Sequence, residues 1–205
     1  MHSISKNDLI QRVYGDMINQ PHIPPINFFH DRVILAPRND DICRLNNTIL
    51  CSLSGEEQTY TSADSYTIDS PDDVINQNIS VEFLHSLDAS GLPVTHFRIK
   101  LGCPVILLHN IDKKCGLCNS IWAVITQMSN RLLQVHVLTG DHAGETALIP
   151  QNTLTPSLTN IDFAIKLKRR QFPIQLAFAM TINKAQGQTL THIGIDLCKP
   201  VFSHG

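Results

Sequence analysis

Apolar residues first recur at helical spacing at Leu9, Ile10, Val13 and Met17, behind Ser5 and Asp8, whose separation of three resembles a capping arrangement. A first helix is expected there, ended by Pro21, Pro24 and Pro25. Arg32-Val33-Ile34-Leu35-Ala36 is brief, partly β-branched and stopped by Pro37, which predicts a buried strand. Asn39 is a candidate helix cap, Asp40 and Asp41 suit the positive end of a helix, and Ile42, Leu45, Ile49 and Leu50 form one apolar stripe. Gly55 is expected to close that helix. Strand, loop and helix in this order make a unit of an α/β sheet.

From about residue 80 the pattern changes to short apolar runs broken by turn residues, the texture of small antiparallel β structure. Candidate strands are Phe97 to Leu101, Pro104 to His109, Ala123 to Met128, Leu132 to Leu138 and Ala147 to Ile149. A compact barrel would tie off their edges. After Pro156 the α/β pattern returns: Ile174, Leu176 and Phe178 alternate, a short helical stretch is expected to start near Thr181, and Ile193, Ile195 and Leu197 alternate again. The plan is an α/β domain interrupted by a small β domain, with no internal repeat.

The 205 residues are 42% hydrophobic, enough to bury a core, and no apolar run approaches the ~18 residues that span a bilayer. With no apolar core of a signal peptide behind Met1, the expectation is an intracellular chain that meets no membrane. A formal charge of −2 argues against wholesale coating of nucleic acid, but residues 31–82 hold three basic side chains against ten acidic ones, and residues 162–205 hold six against two. Phosphate contact is therefore expected toward the C-terminal end. The six cysteines are scattered, and only Cys115 and Cys118 have metal-ligand spacing. Zinc would need two more ligands, and His109, His136 and His142 follow no finger spacing, so structural thiols and no metal are expected.

The stretch Leu176 to Leu190 runs from an apolar strand into a polar turn, where backbone N–H groups, the Thr181 hydroxyl, the Asn183 amide and the Lys184 ammonium offer donors to a phosphate. Gly187 would admit a nucleotide or another backbone. Upstream, Lys166, Lys168, Arg169 and Arg170 form a cluster that could neutralise a nucleic-acid backbone, or an ordinary amphipathic surface. There is no G-x-x-x-x-G-K-[ST] loop, no tandem acidic pair after an apolar strand, and no G-x-S-x-G or H-E-x-x-H motif.

Several blocks in one order carry a resemblance: Ile34 to Asn39 with Asn46, Tyr60 to Asp64, Phe83-Leu84 with Ser90 to Pro93, and Leu101 to Leu108. They continue through Gly116 to Asn119, Leu138 to Gly140 with Gly144, Arg169 to Pro173, Thr181 to Leu190 and Gly194 to Leu197. In these blocks the chain resembles the Pif-type superfamily-one DNA helicases, most closely those encoded by Helitron transposons. The resemblance implies an α/β fold: the second RecA-like domain, of P-loop NTPase type but lacking the P-loop, with an inserted small SH3-like β-barrel. It divides the chain into residues 1–78 and 158–205 of the RecA-like domain, the latter stopping before the final helicase motif, and 79–157 of the insert.

By the same resemblance Thr181, Asn183, Lys184, Arg169 and Arg170 would meet DNA, and Gln186, Gly187, Arg38 and Asn39 would lie near the nucleotide. The implied parent is an ATP-dependent 5'-to-3' helicase of single strands, working in repair, recombination, telomere maintenance or transposition, and a nuclear protein by its tasks. ATP and Mg2+ belong to that parent. Its partners would be single-stranded DNA and the missing N-terminal RecA-like half; this chain, with neither phosphate loop nor arginine finger, is expected to have no catalytic residue and no ATPase activity alone. Against the family pattern it carries Ser120-Ile121-Trp122 where relatives often read Gly-Thr-Arg, His109 where an Arg is usual, and Asn183 and Ala185 in place of His and Ser. Two alternatives are a stand-alone single-stranded nucleic-acid-binding or interaction module, and a zinc or thiol-redox protein built on Cys115 and Cys118.

Overall fold

The computed structural model describes residues 5–18, 20–68, 80–87, 91–156, 165–186 and 188–197. The expected first helix is α1 (Lys6–Ile18), and the Ser5 hydroxyl accepts from the Asp8 N–H at 3.1 Å. Its buried stripe is Ile10, Val13, Tyr14 and Met17. The expected strand is β1 (Arg32–Ala36), followed by α2 (Asn39–Ser52). The cap position of α2 falls on Arg38, without a side-chain cap bond, and Asn39 is already helical. Leu53 ends α2 in extended conformation, ahead of Gly55, because its N–H closes onto Ile49 and Leu50 and its side chain is buried.

Among the described residues the strands form three sheets and a two-stranded ribbon. Near the start of the chain, β1 is the middle of a parallel sheet between β12 (Ala179–Thr181) and β13 (His192–Ile195). Helix α1 lies against β13 so closely that a Cβ on Gly194 would sit 2.9 Å from Val13 and 3.0 Å from Leu9, so glycine permits the contact. At the C-terminal end of this sheet Lys6 bridges Asp41 and Asp196, each at 3.2 Å, and the Asp196 bond above all raises its pKa.

The five strands expected between residues 97 and 149 all form, as β4 (His96–Lys100), β5 (Pro104–Leu107), β6 (Trp122–Met128), β7 (Leu132–Val137) and β8 (Thr146–Pro150). They do not close into a barrel. Strands β5 to β8 belong to an open sheet in the order β11-β5-β6-β7-β8, whose far edge β11 (Ile174–Leu176) comes from beyond residue 157. Strand β4 leaves that sheet to pair with β2 (Glu57–Thr61), with Glu57 opposite Lys100 and held below the usual carboxylate range by the Arg98 guanidinium. The third sheet sets β10 (Ile165–Gln171) between β3 (Ala63–Ile68) and β9 (Asn152–Leu154). A short helix, α3 (Val81–Ser86), is capped by the Ser80 hydroxyl. Ladders thus run across the boundaries expected at 78/79 and 157/158.

The stretch from Ile174 to Thr181 serves two sheets. β11 pairs antiparallel with β5 and β12 pairs parallel with β1, with only Ala177 and Phe178 between them. Asn46 of α2 clips the crossing: its Nδ2 donates to Leu176 O at 3.2 Å and Ala179 O at 3.1 Å, and its Oδ1 accepts from Ala179 N at 2.7 Å. The buried Tyr14 hydroxyl donates to Phe178 O at 2.7 Å, and the Tyr14 and Phe29 rings pack edge-on against Phe178.

Apolar alternation misleads at β13, where Gly194 and Asp196 are buried and Ile193, Ile195 and Leu197 are 47%, 55% and 58% exposed. Ser120, where the resembled helicases often carry glycine, has φ of +67°, the left-handed region that costs a side chain roughly 1–2 kcal/mol. Asn46→Ala should destabilise the chain by about 2–4 kcal/mol in urea unfolding, since buried backbone groups lose their partner. Ser120→Gly should stabilise it by about 0.5–1 kcal/mol, strain relief exceeding the added freedom of the unfolded chain.

Candidate nucleic-acid interface

Parallel strands present their following loops at one end, and here Ala36 pairs with Thr181 in the last register of β1 and β12. Arg38 and Asn39, both exposed, open α2 beside the turn that follows Thr181. That turn is a single turn of 3-10 helix, Ile182–Ala185, rather than the start of an α-helix. Thr181 caps it, its hydroxyl accepting from the Lys184 N–H at 3.3 Å. Four residues give it little dipole, so polar side chains must supply most of any affinity for an anion.

Beneath the turn lies an open groove of about 400 Å3, lined by Leu35 and Ile193 of the sheet and by Ile182, Asn183, Gln186 and Gln188 of the loop. Asn183 and Gln186 are exposed there. Lys184 is half-buried and does not line the groove; its Nζ donates to Gln175 Oε1 of β11 at 3.1 Å, and burial lowers its pKa. Gly187 lies outside the described residues. The structure therefore gathers Arg38, Asn39, Thr181, Asn183, Lys184 and Gln186 at one end of the sheet. Gln175 was not foreseen, and a lone polar residue between apolar ones in a strand gives no signal of such a role.

Arg169 is elsewhere and does something else. Its side chain is 3% exposed and forms a forked ion pair with the fully buried Asp64, Nη2 to Oδ2 at 2.7 Å and Nε to Oδ1 at 3.1 Å. It also donates to the carbonyls of Pro93, Leu84 and Leu87 at 3.2–3.4 Å, tying α3 and the loop after it to β10. The expected DNA contact at Arg169 is corrected accordingly: its Nε, Nη1 and Nη2 all already donate to partners inside the protein. Arg170, the next residue in the strand, points the other way and is exposed.

Cys115 is exposed and Cys118 half-buried in the turn between β5 and β6, and the nearby Asp112 pushes the Cys115 thiol pKa up, which disfavours a reactive thiolate. Among the described residues no group of three or more His, Cys, Asp or Glu is placed to hold a metal ion, and no helix is long and apolar enough to cross a membrane.

A family model described as the 2B domain of DNA helicase Pif1 matches residues 82–128. The ATP-dependent DNA helicase PIF1 of Homo sapiens is 31% identical over 175 residues, which is 83% of this chain and 24% of that protein. This chain is a relative of the Pif1 helicases. The ATP-dependent DNA helicase PIF7 of Trypanosoma brucei brucei is 30% identical over 148 residues, 57% of this chain and 14% of that protein. The Pif1 relative thus spans about a quarter or less of the length of the curated proteins it matches. Its fold is similar to the crystal structure of Pif1 helicase from Candida albicans, with a TM-score of 0.58, 18% identity, and coverage of 96% of this chain and 45% of the other. It is likewise similar to Bacteroides Pif1 bound to single-stranded DNA, with a TM-score of 0.52, 21% identity, and coverage of 94% and 39%. Arg169→Met should cost about 3–5 kcal/mol by stranding the Asp64 carboxylate, and Arg170→Ala should stay within about 0.5 kcal/mol, both read by urea unfolding.

Proposed function

We propose that this chain is the C-terminal portion of an ATP-dependent DNA helicase moving 5'-to-3', and that it contacts single-stranded DNA at the C-terminal end of its parallel sheet. The observation that carries the reading is the convergence of Arg38, Asn39, Thr181, Asn183 and Lys184 at that end, in a chain related to helicases. Open parallel sheets bind ligands in the crevice outside the carboxyl ends of their strands, which supports this placement. The Bacteroides relative of the same fold was crystallised with single-stranded DNA, which favours the same ligand class here.

In this reading residues 1–78 and 158–205 make up a second RecA-like domain, and 79–157 make up a small domain of SH3 type whose sheet stays open, joined to the first by shared ladders. Arg38, Asn39, Gln186 and Gly187 lie toward the nucleotide, and Arg170 adds an exposed charge. ATP and Mg2+ are held by the parent helicase, whose N-terminal half supplies the phosphate loop, so this segment has no ATPase activity alone. The parent works inside the cell, in the nucleus, in repair, recombination, telomere maintenance or Helitron-type transposition.

The test is the binding of oligo-dT by the 205-residue chain across a salt series. With Lys184 and Arg170 each contacting one phosphate, log K should fall against log salt with a slope of about −1.4. A slope near zero would remove phosphate contact and with it the proposed site.

A further inference from the structure

Lys184 carries its charge in an unusual setting. It is half-buried, its ammonium donates to the neutral Gln175 amide at 3.1 Å, and it has no carboxylate partner among the described residues. Half-buried lysines ordinarily bury the methylene stem and keep the ammonium in water or give it an acidic partner, because burying an ammonium without a counter-charge is costly. A neutral acceptor fixes the position of the ammonium and leaves its charge in place. It also uses one of the three ammonium donors and leaves two.

The two anchors of this side chain lie in different parts of the fold. The Lys184 backbone N–H is held by Thr181 in the turn after β12, whereas Gln175 sits in β11, opposite Ile106 of β5, in the five-stranded sheet. The contact therefore spans the crossing between the two sheets.

We propose that Gln175 is a positioning residue for phosphate contact by Lys184: it holds the ammonium beside the turn with its charge uncancelled and two donors free. Phosphate contact is thereby mechanically linked to the five-stranded sheet. The proposal rests on the reading that this turn meets single-stranded DNA. Gln175→Glu would keep the geometry and supply the counter-charge, so the phosphate would no longer release a counterion at this lysine.

The experiment is a salt series of oligo-dT binding for the wild-type chain, Gln175→Glu, Lys184→Ala and the double variant. Each single change should shrink the slope by about 0.7, the value for one phosphate on a single strand, and the double variant should match either single one. Gln175→Met, which removes the acceptor without adding charge, should keep the slope and weaken binding about threefold to tenfold, and should do nothing in the Lys184→Ala background. Additive losses in the double variant, an unchanged slope for Gln175→Glu, or unchanged affinity for Gln175→Met would overturn the positioning role and leave the DNA reading standing. A wild-type slope near zero would overturn both. Should Gln175→Glu fail to show a cooperative melt, the Gln175→Met comparison decides.

Discussion

Between Leu176 and Ala179 the backbone leaves an antiparallel sheet and enters a parallel one, and its polar groups must be satisfied in buried surroundings where neither ladder runs on unbroken. The accounting is specific: Ala177 N donates to Pro104 O, Phe178 O accepts from Ile34 N and the Tyr14 hydroxyl, and Asn46 serves Leu176 O, Ala179 N and Ala179 O. Unpaired groups here would each cost about 1–3 kcal/mol. One buried amide on α2 and one buried phenol on α1 thus lock both helices to the same two-residue crossing, and the turn that follows inherits its position from them.

A second buried polar cluster organises the other end. Arg169 and Asp64 lie on paired strands in direct register, and the guanidinium reaches on to three carbonyls around α3. The pair is weak evidence for stability in itself, because desolvation offsets much of the attraction. Its geometric content is greater. A planar fork that satisfies a carboxylate and three carbonyls together fixes Leu84, Leu87 and Pro93 against β10, which no apolar side chain of that size would do.

These two constraints separate structural from available charge. Arg169 and Lys6 are committed to carboxylates, whereas Lys184 is held by a neutral amide and Arg38 and Arg170 are exposed. Overall acidity and a local cationic surface coexist because the acids cluster between residues 31 and 82 and several of them face basic partners inside the fold.

Hydrophobic periodicity alone determined α1, β1, α2 and the five strands from residue 96 to 150, because each buries one stripe or face and turn residues bound it. The order of the short blocks pointed to the helicase relatives, and the strand-to-turn transition at Thr181 marked the candidate site. Strand pairing was beyond its reach: β2, β3 and β10 are polar on one face, and their partners lie up to about a hundred residues away, a distance that no local pattern encodes. The open sheet follows from that, since β11 joins it from beyond residue 157 and β4 leaves the expected barrel for β2. The same reason hid the fate of the charges. Arg169 and Arg170 are neighbours of one chemical type in the sequence, and only the two-residue period of a strand in its tertiary setting buries one against Asp64 and turns the other to water.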